Sequence, residues 1–499
     1  MKISGTRKKK GSLIFFMLLS AAIISCSDVP DYSGSSEDSP YGELIINDGD
    51  YYTTSASVYL SLDVPGADEM CFSNDNITWS AWEPYTDTKN WSIDTGHGQK
   101  TVFGNFRKSG TEIAVFSDTI TPFFEHHIYA SDGAASTYFG GGNTGYTTEN
   151  LCISENGNII IVGAAMNSAV YVYKKSGTGW DEIQISKPDG SGSSFGNSIA
   201  CNPDASIVVI GALSKPGFYL YQWNGASYDL INTINSPTAP QTNDFAVTVS
   251  ISNDGNKIAV GSWHHPMGEN KGAVYLYERD KASWPGSYEK KFMEDELVNN
   301  DIYGIGVKIS GDGNTIAIGA SYQESQYGAV YIYKWNGSDW NLITKFSGTS
   351  NYLLGRHIGM SYNGSRIIAS ERAWSYGNTD QGAAHIYNWN GTTYTETKIL
   401  SASDGAADDK FGYCVSMSSN GNIIAVSAPS ISTAIGAAYV YRFDGTDWIE
   451  EYKLTASDGT AGDFYGNMIS ISGDGSVVAV GAPLDDVVNT DQGSVYLYY

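Results

Sequence analysis

The residues of this chain best suited to chemistry are two acidic pairs and one histidine pair. Asp408-Asp409 stands in "SDGAADDKFG" (403–412), Asp485-Asp486 in "PLDDVVNTDQG" (483–493), and His264-His265 in "SWHHPMGENKG" (262–272). Two carboxylates serve a glycosidase when they face each other across a pocket. Sequence neighbours rarely do so. The other histidines are scattered: His126 and His127 share "EHHIY", and His385 replaces a tyrosine in "AAHIY", as a packed strand residue would. No HExxH or phosphate-loop pattern is present, and no CxxC or histidine-rich spacing suggests a metal. The chain therefore reads as a protein without chemistry or cofactor of its own. A carbohydrate hydrolase or lyase is the alternative.

Composition narrows the setting. The 499 residues carry 29 Lys+Arg against 54 Asp+Glu, a formal charge of −25. That surface repels a phosphate backbone, so nucleic acid is not an expected partner. Residues 1–26 read as targeting: a basic "MKISGTRKKKGS", then an apolar "LIFFMLLSAAII" (13–24) short for a bilayer. The ending "IISC" resembles a bacterial lipoprotein signal with a relaxed lipobox, which implies lipidation at Cys26. Residues 27–40, "SDVPDYSGSSEDSP", have the composition of a solvated tether. Cys71, Cys152, Cys201 and Cys414 show no paired spacing and are expected to be small buried hydrophobes.

The elements that would position any site come from a repeat. Gly (56), Tyr (35) and Trp (12) are abundant and long charged helical stretches are absent, which favours an all-β protein. Two-residue turn markers fall at Asn156-Gly157, Asp204-Ala205, Asp254-Gly255, Asp312-Gly313, Asn363-Gly364, Asn420-Gly421 and Asp474-Gly475. Such pairs suit hairpins in which both central residues take positive φ. Successive spacings of 48, 50, 58, 51, 57 and 54 residues lie near the period of propeller blades. Each unit predicts four strands. The first starts near an aromatic-Gly pair such as Phe195-Gly196 or Phe411-Gly412. The second is a β-branched run ending in small residues, as in "VVAVGAP" (477–483). The third alternates, as in "AVYIYK" (329–334), and a fourth follows a polar turn such as "NGSDW". Alternation puts Val and Ile on one face and Tyr on the other. Both faces need cover, which a closed ring of such sheets supplies.

The last repeat stops at Tyr499 without a fourth strand, while "EHHIYASDG" (125–133) resembles "EYKLTASDG" (451–459). The segment 125–130 is thus expected to complete the last sheet and give a seven-bladed ring over 124–499. The pairs Phe411-Gly412, "AVSAP" (425–429), "AVGAP" (479–483) and "GAVYIY" (328–333) resemble the FG-GAP repeats of integrin α-type β-propellers, with repeats one, three and five degenerate. Calcium loops in that family follow DxDxDGxxD, a pattern that brings several carboxylates together. The matching positions here are Lys308, Ser310, Asp312 and Ile316 in repeat four, and Ser470, Ser472, Asp474 and Val478 in repeat seven. One acid remains of each set, so no metal is expected. Residues 41–123 alternate like short strands and resemble a small bacterial immunoglobulin-like β-sandwich; Trp79, Trp82 and Trp91 are its expected core or rim aromatics.

The expected organisation is a lipoprotein signal (1–26), a tether (27–40), an Ig-like sandwich (41–123) and a seven-bladed propeller (124–499). It implies an exported, lipid-anchored, monomeric protein at the outer membrane or surface of a Gram-negative-type bacterium. Its expected work is binding a protein or glycan, a structural scaffold being a further alternative. Loops that lead into each first strand and loops between second and third strands should share one end of the ring. They carry the candidate binding residues His264, His265, Trp374, Tyr376, Asp408, Asp409, Asp485 and Asp486.

Overall fold

A computed structural model describes residues 43–47, 52–53, 57–93, 100–122, 125–133, 137–141, 149–177, 179–188, 194–213, 217–237, 245–266, 268–280, 283–348, 353–372, 381–430, 435–487 and 489–499. Cys26, the tether, Trp374 and Tyr376 lie outside them. The chain divides into two compact units at residues 123 and 124.

In the first unit, strands Glu43–Ile46, Ser57–Asp63 and Thr88–Ser92 form one sheet. Tyr52–Thr53, Thr111–Pro122, Lys100–Lys108, Glu69–Ser73 and Glu83–Pro84 form the other, with Tyr52–Thr53 running parallel to its neighbour. The alternation in "SVYLSLD" (57–63) buries Val58, Leu60 and Leu62 and leaves Ser57, Tyr59 and Asp63 outside. Those residues pack with Met70, Phe72, Val102 and Phe106 in one core. Trp91 lies against Phe72 and donates its ring N–H to Asn74, while Arg107 stacks on Trp82.

Among its described residues, the second unit holds seven four-stranded antiparallel sheets, numbered here 1 to 7 along the chain. Sheet 1 consists of Leu151–Ile153, Ile159–Ala164, Ala169–Ser176 and Gly179–Ser186. Sheet 7 consists of Met468–Ile471, Val478–Ala482, Ser494–Tyr498 and, from the other end of the unit, Glu125–Ile128. There Ile128 pairs with Val495 and Glu125 with Tyr498. Each first strand touches the first strand of the next sheet, and that of sheet 7 touches that of sheet 1. Second strands such as Ile207–Ala212 are buried throughout. Their cover is the neighbouring sheet: Ile161, Val170 and Val172 of sheet 1 share a core with Phe195, Val208 and Ile210 of sheet 2.

The aromatic-Gly pairs set the spacing between sheets. Phe411 lies 5.4 and 6.1 Å from the rings of Tyr439 and Tyr441 on its own third strand. Phe139 does the same with Tyr171 and Tyr173 at 5.6 and 5.9 Å. Repeat one is therefore not degenerate in this element; its pair, Phe139-Gly140, is set back from its strand by residues 142–148. The glycine brings backbones together. A Cβ on Gly163 of sheet 1 would stand 2.1 Å from the carbonyl oxygen of Gly196 in sheet 2. One on Gly481 would stand 1.8 Å from that of Gly140. No side chain fits at either place.

The turn markers form a different turn from the one expected. Only the second residue has positive φ, from +52° at Ala205 to +79° at Gly475. The Asp or Asn before it stays at negative φ and uses its side chain instead. Asp312 accepts the hydroxyl of Ser310 (2.5 Å) and the N–H of Asn314 (3.0 Å), and Asp474 does likewise with Ser472 and Ser476. The loop is longer than two residues, so the acid closes an Asx turn rather than a type I′ turn.

The residues just before these markers, or at their first position, knit the sheets together. Glu155 N–H donates to Pro203 O, Asn253 to Gly311, Asp312 to Tyr362, Tyr362 to Ser419, Ser419 to Gly473, and Asp474 back to Glu155. Six of the seven neighbouring pairs are joined in this belt, including sheet 7 to sheet 1. The gap falls between sheets 2 and 3, where the donor would be Pro203, which has no N–H.

A correction concerns cysteine. Cys71 and Cys414 are buried and free, but Cys152 and Cys201 form a disulfide between the first strands of sheets 1 and 2. Their separation of 49 residues is one more than the 48 between the markers of sheets 1 and 2, so Cys152 meets the neighbour of its equivalent residue, Ala200. The pairing distance is thus close to the repeat period.

Candidate functional site

At the loop end of the second unit, many acids are bound into the framework. Tyr171, Tyr439 and Tyr496, equivalent on their third strands, donate to Asp132, Asp404 and Asp458 of the "SDG" lead-in segments, each at 2.7 Å. The fourth strand places Gln184, Lys453 or His127 opposite the same tyrosine. Burial works against the charged form of His127, but Glu125 and Asp458 raise its pKa overall.

The candidate residues divide accordingly. Asp409 is buried and accepts the N–H of Ala406, as Asp463 does from Thr460. Asp485 is buried beneath Ser494 and Tyr496, and burial raises its carboxyl pKa. The Nε2 of His265 lies 2.8 Å from Lys291, which pairs with Tyr275 in sheet 3. His264 stacks on Trp263 at 4.3 Å. Asp408 and Asp486 are exposed, and Asp486 accepts the N–H of Asp491. These three pairs belong to sheet 3, the lead-in of sheet 6 and sheet 7. Neither cavity described below includes any of them.

His385 is buried in sheet 5 between two carboxylates. Its Nε2 lies 2.7 Å from Glu371, whose side chain is fully enclosed, and its Nδ1 lies 2.5 Å from Glu396. Burial opposes protonation, yet the two acids raise the imidazole to about 9. Glu371 stands where sheets 1, 2, 4, 6 and 7 have Ala164, Ala212, Ala320, Ala428 and Ala482. A second His pair is inert for the opposite reason. Burial, then Arg356, Arg372 and Lys308, hold His357 well below its ordinary range. Burial pushes the neighbouring Cys414 thiol, 3.7 Å away, up to about 12. That is the reverse of an activated thiolate.

The ring axis holds a cavity of ≈ 160 Å³. Its rim is the hydrogen-bonded belt, its wall includes the Cys152–Cys201 disulfide, and its inner end is an ion pair between Lys308 of sheet 4 and Glu149 of sheet 1, 2.5 Å long. A second cavity of ≈ 460 Å³ lies between sheets 5 and 6, lined by Lys398, Leu400, Tyr441, Trp448 and Glu450 among others. The axial set was missed in the sequence. Its signal was the position four residues before each marker, occupied by Cys152, Ala200, Ser250, Lys308, Gly359, Ser416 and Ser470, where Lys308 is the one charge. Among the described residues, no group of three or more His, Cys, Asp or Glu side chains could hold a metal ion. No described helix is long and apolar enough to cross a membrane.

Residues 394–441 and 448–498 match the family model of the FG-GAP repeat. These two stretches are similar to that repeat, and the ring of four-stranded sheets described above has the arrangement of a β-propeller. No curated protein matches the chain in sequence. Solved structures similar in chain course include the β-propeller domain of Cps50 (Swd1) from Myceliophteria thermophila, at 8% identity and a TM-score of 0.48, covering 72% of this chain and 98% of that one. Hydrazine synthase of Kuenenia stuttgartiensis is similar at 12% identity and a TM-score of 0.48, covering 74% and 98%. A functionally unknown protein from Desulfotomaculum acetoxidans is similar at 15% identity and a TM-score of 0.44, covering 72% and 93%.

Proposed function

We propose that the chain is a lipid-anchored binding protein of the bacterial envelope, exported and held by Cys26, with an Ig-like module and a monomeric seven-bladed propeller that captures a protein or glycan. The observation that carries this reading is the contrast between the two ends of the sheets. At the belt end the turns repeat one hydrogen-bond pattern from sheet to sheet. At the loop end the segments differ: Trp263-His264-His265-Pro266 in sheet 3, a short turn at 323–326 in sheet 4, and residues 484–492 in sheet 7. Diversity of side chains on a rigid frame is what recognition uses. The exposed Asp408 and Asp486, with His264, Trp374 and Tyr376, are the capture residues of this reading, while Asp409, Asp485 and His265 hold the loops that present them. A disulfide suits an oxidising compartment, which supports export. Acyl labelling tests the anchor: Cys26→Ala is expected to lose the label and leave the membrane fraction, and a variant that stays labelled and membrane-bound contradicts it.

A further inference from the structure

The axial cavity is lined by groups that the loop-end reading does not use. Seven first strands converge on it, yet Lys308 is the single cation among its described lining residues. The Lys308 side chain keeps about a third of its surface open, and its ammonium is met by the Glu149 carboxylate. Glu149 thus shows, from within the chain, the kind of group this end of the cavity accepts. Around it stand hydroxyls. Ser250 Oγ accepts the N–H of Ile309 and Ser416 Oγ accepts that of Ile471, each at 3.1 Å from the next sheet. Each oxygen accepts a backbone N–H, and its O–H proton can still donate to a ligand. Ser470 occupies the equivalent position in sheet 7 and also lines the cavity.

The inner end of the cavity carries one cation, Lys308, paired with Glu149. The rim carries the opposite sign: Glu155 accepts the hydroxyl of Ser419 and lies over Gly473, where a Cβ would stand 1.8 Å from its Oε2. A ligand with one negative charge suits this single lysine, and a dianion meets repulsion from Glu155 at the rim. The volume is roughly that of a cavity able to hold a benzene-sized molecule.

We propose that the axial cavity binds a small monocarboxylic hydroxy acid, its carboxylate on Lys308 in competition with Glu149 and its hydroxyls on Ser250, Ser416 and Ser470. The assignment is independent of what the loop end captures. Glu149 is the built-in competitor, so its neutralisation frees the lysine.

Isothermal titration of the full chain with gluconate, glucose and propionate tests this. Gluconate is expected to bind, and Glu149→Gln to bind it about tenfold more tightly, the change expected from one freed charge-assisted hydrogen bond. The double variant Glu149→Gln/Lys308→Met removes both charges together and is expected to bind none of the three. Glucose lacks the carboxylate and propionate the hydroxyls, so each is expected to bind about tenfold or more weakly than gluconate. Should Glu149→Gln fail to fold, Ser416→Ala in the otherwise unchanged chain is expected to weaken gluconate several-fold. Absence of gluconate binding overturns the proposal. So does equal binding by the double variant, or glucose or propionate binding as tightly as gluconate.

Discussion

Replacing His385 by tyrosine restores the residue that most other sheets carry at this position, and it is nevertheless expected to destabilise the protein. The reason is Glu371. Its side chain is fully enclosed, and the imidazolium 2.7 Å away is the charge that makes its burial tolerable. Removing one partner of a buried ion pair typically costs about 3–5 kcal/mol, because the other is left charged in a poor solvent. Proton linkage gives a similar figure by another route. The imidazole titrates at about 9 in the folded protein, against about 6.5 in an unfolded chain, a difference of roughly 3 kcal/mol. With a folded pKa above the unfolded one, this contribution is complete below pH 6.5 and is lost as pH rises through about 9. The double variant Glu371→Ala/His385→Tyr removes both charges and returns the site to the Ala and Tyr of other sheets. It is expected to recover to within about 1 kcal/mol of wild type and to lack the alkaline loss. Urea or thermal unfolding of the three proteins at intervals from pH 6 to 10 reads both effects. A His385→Tyr variant as stable as wild type at pH 6, or the same alkaline loss in the double variant, refutes the reasoning.

Other expectations are simpler. Deleting residues 124–130 opens the edge of the strand Ser494–Tyr498, with loss of ladder bonds worth about 1 kcal/mol each, so melting falls and aggregation appears in light scattering; deleting 27–40 leaves both unchanged. Reducing Cys152–Cys201, or replacing both residues by serine, frees a 49-residue loop and is expected to cost up to about 4 kcal/mol, read by chemical denaturation. EDTA is expected to leave melting unchanged, because Asp312 and Asp474 are committed to their own turns; a drop restored by calcium contradicts this.

The strand unit was legible because its signals are local. Alternating Val/Ile and Tyr fixes the two faces of a third strand, and the Gly-Ala closing the second strands of sheets 1, 2, 4 and 7 marks the close approach seen at Gly163 and Gly481. What escaped was set by partners distant in the sequence. The acid of each "SDG" segment looks solvated until Tyr439 is found beside Asp404, 35 residues on. Cys152 and Cys201 look unpaired because neighbouring first strands are one period apart. Lys308 and Glu149 stand 159 residues apart and meet only because sheets 1 and 4 face the same axis. The turn geometry was misjudged for a local reason: Asn-Gly and Asp-Gly also serve longer loops in which a side chain, not a second positive φ, turns the chain.

Capture by the two ends of the ring decides the central claim. The full chain is screened on glycan arrays and by pull-down from cell surfaces, and the strongest capture is remeasured for alanine variants at His264, Asp408 and Asp486 and at the opposite turns, Ser338 and Thr446. The account predicts that the first three weaken capture without lowering melting, while Ser338→Ala and Thr446→Ala leave it intact. Capture that maps to Ser338 and Thr446, or wholly to residues 41–123, contradicts it.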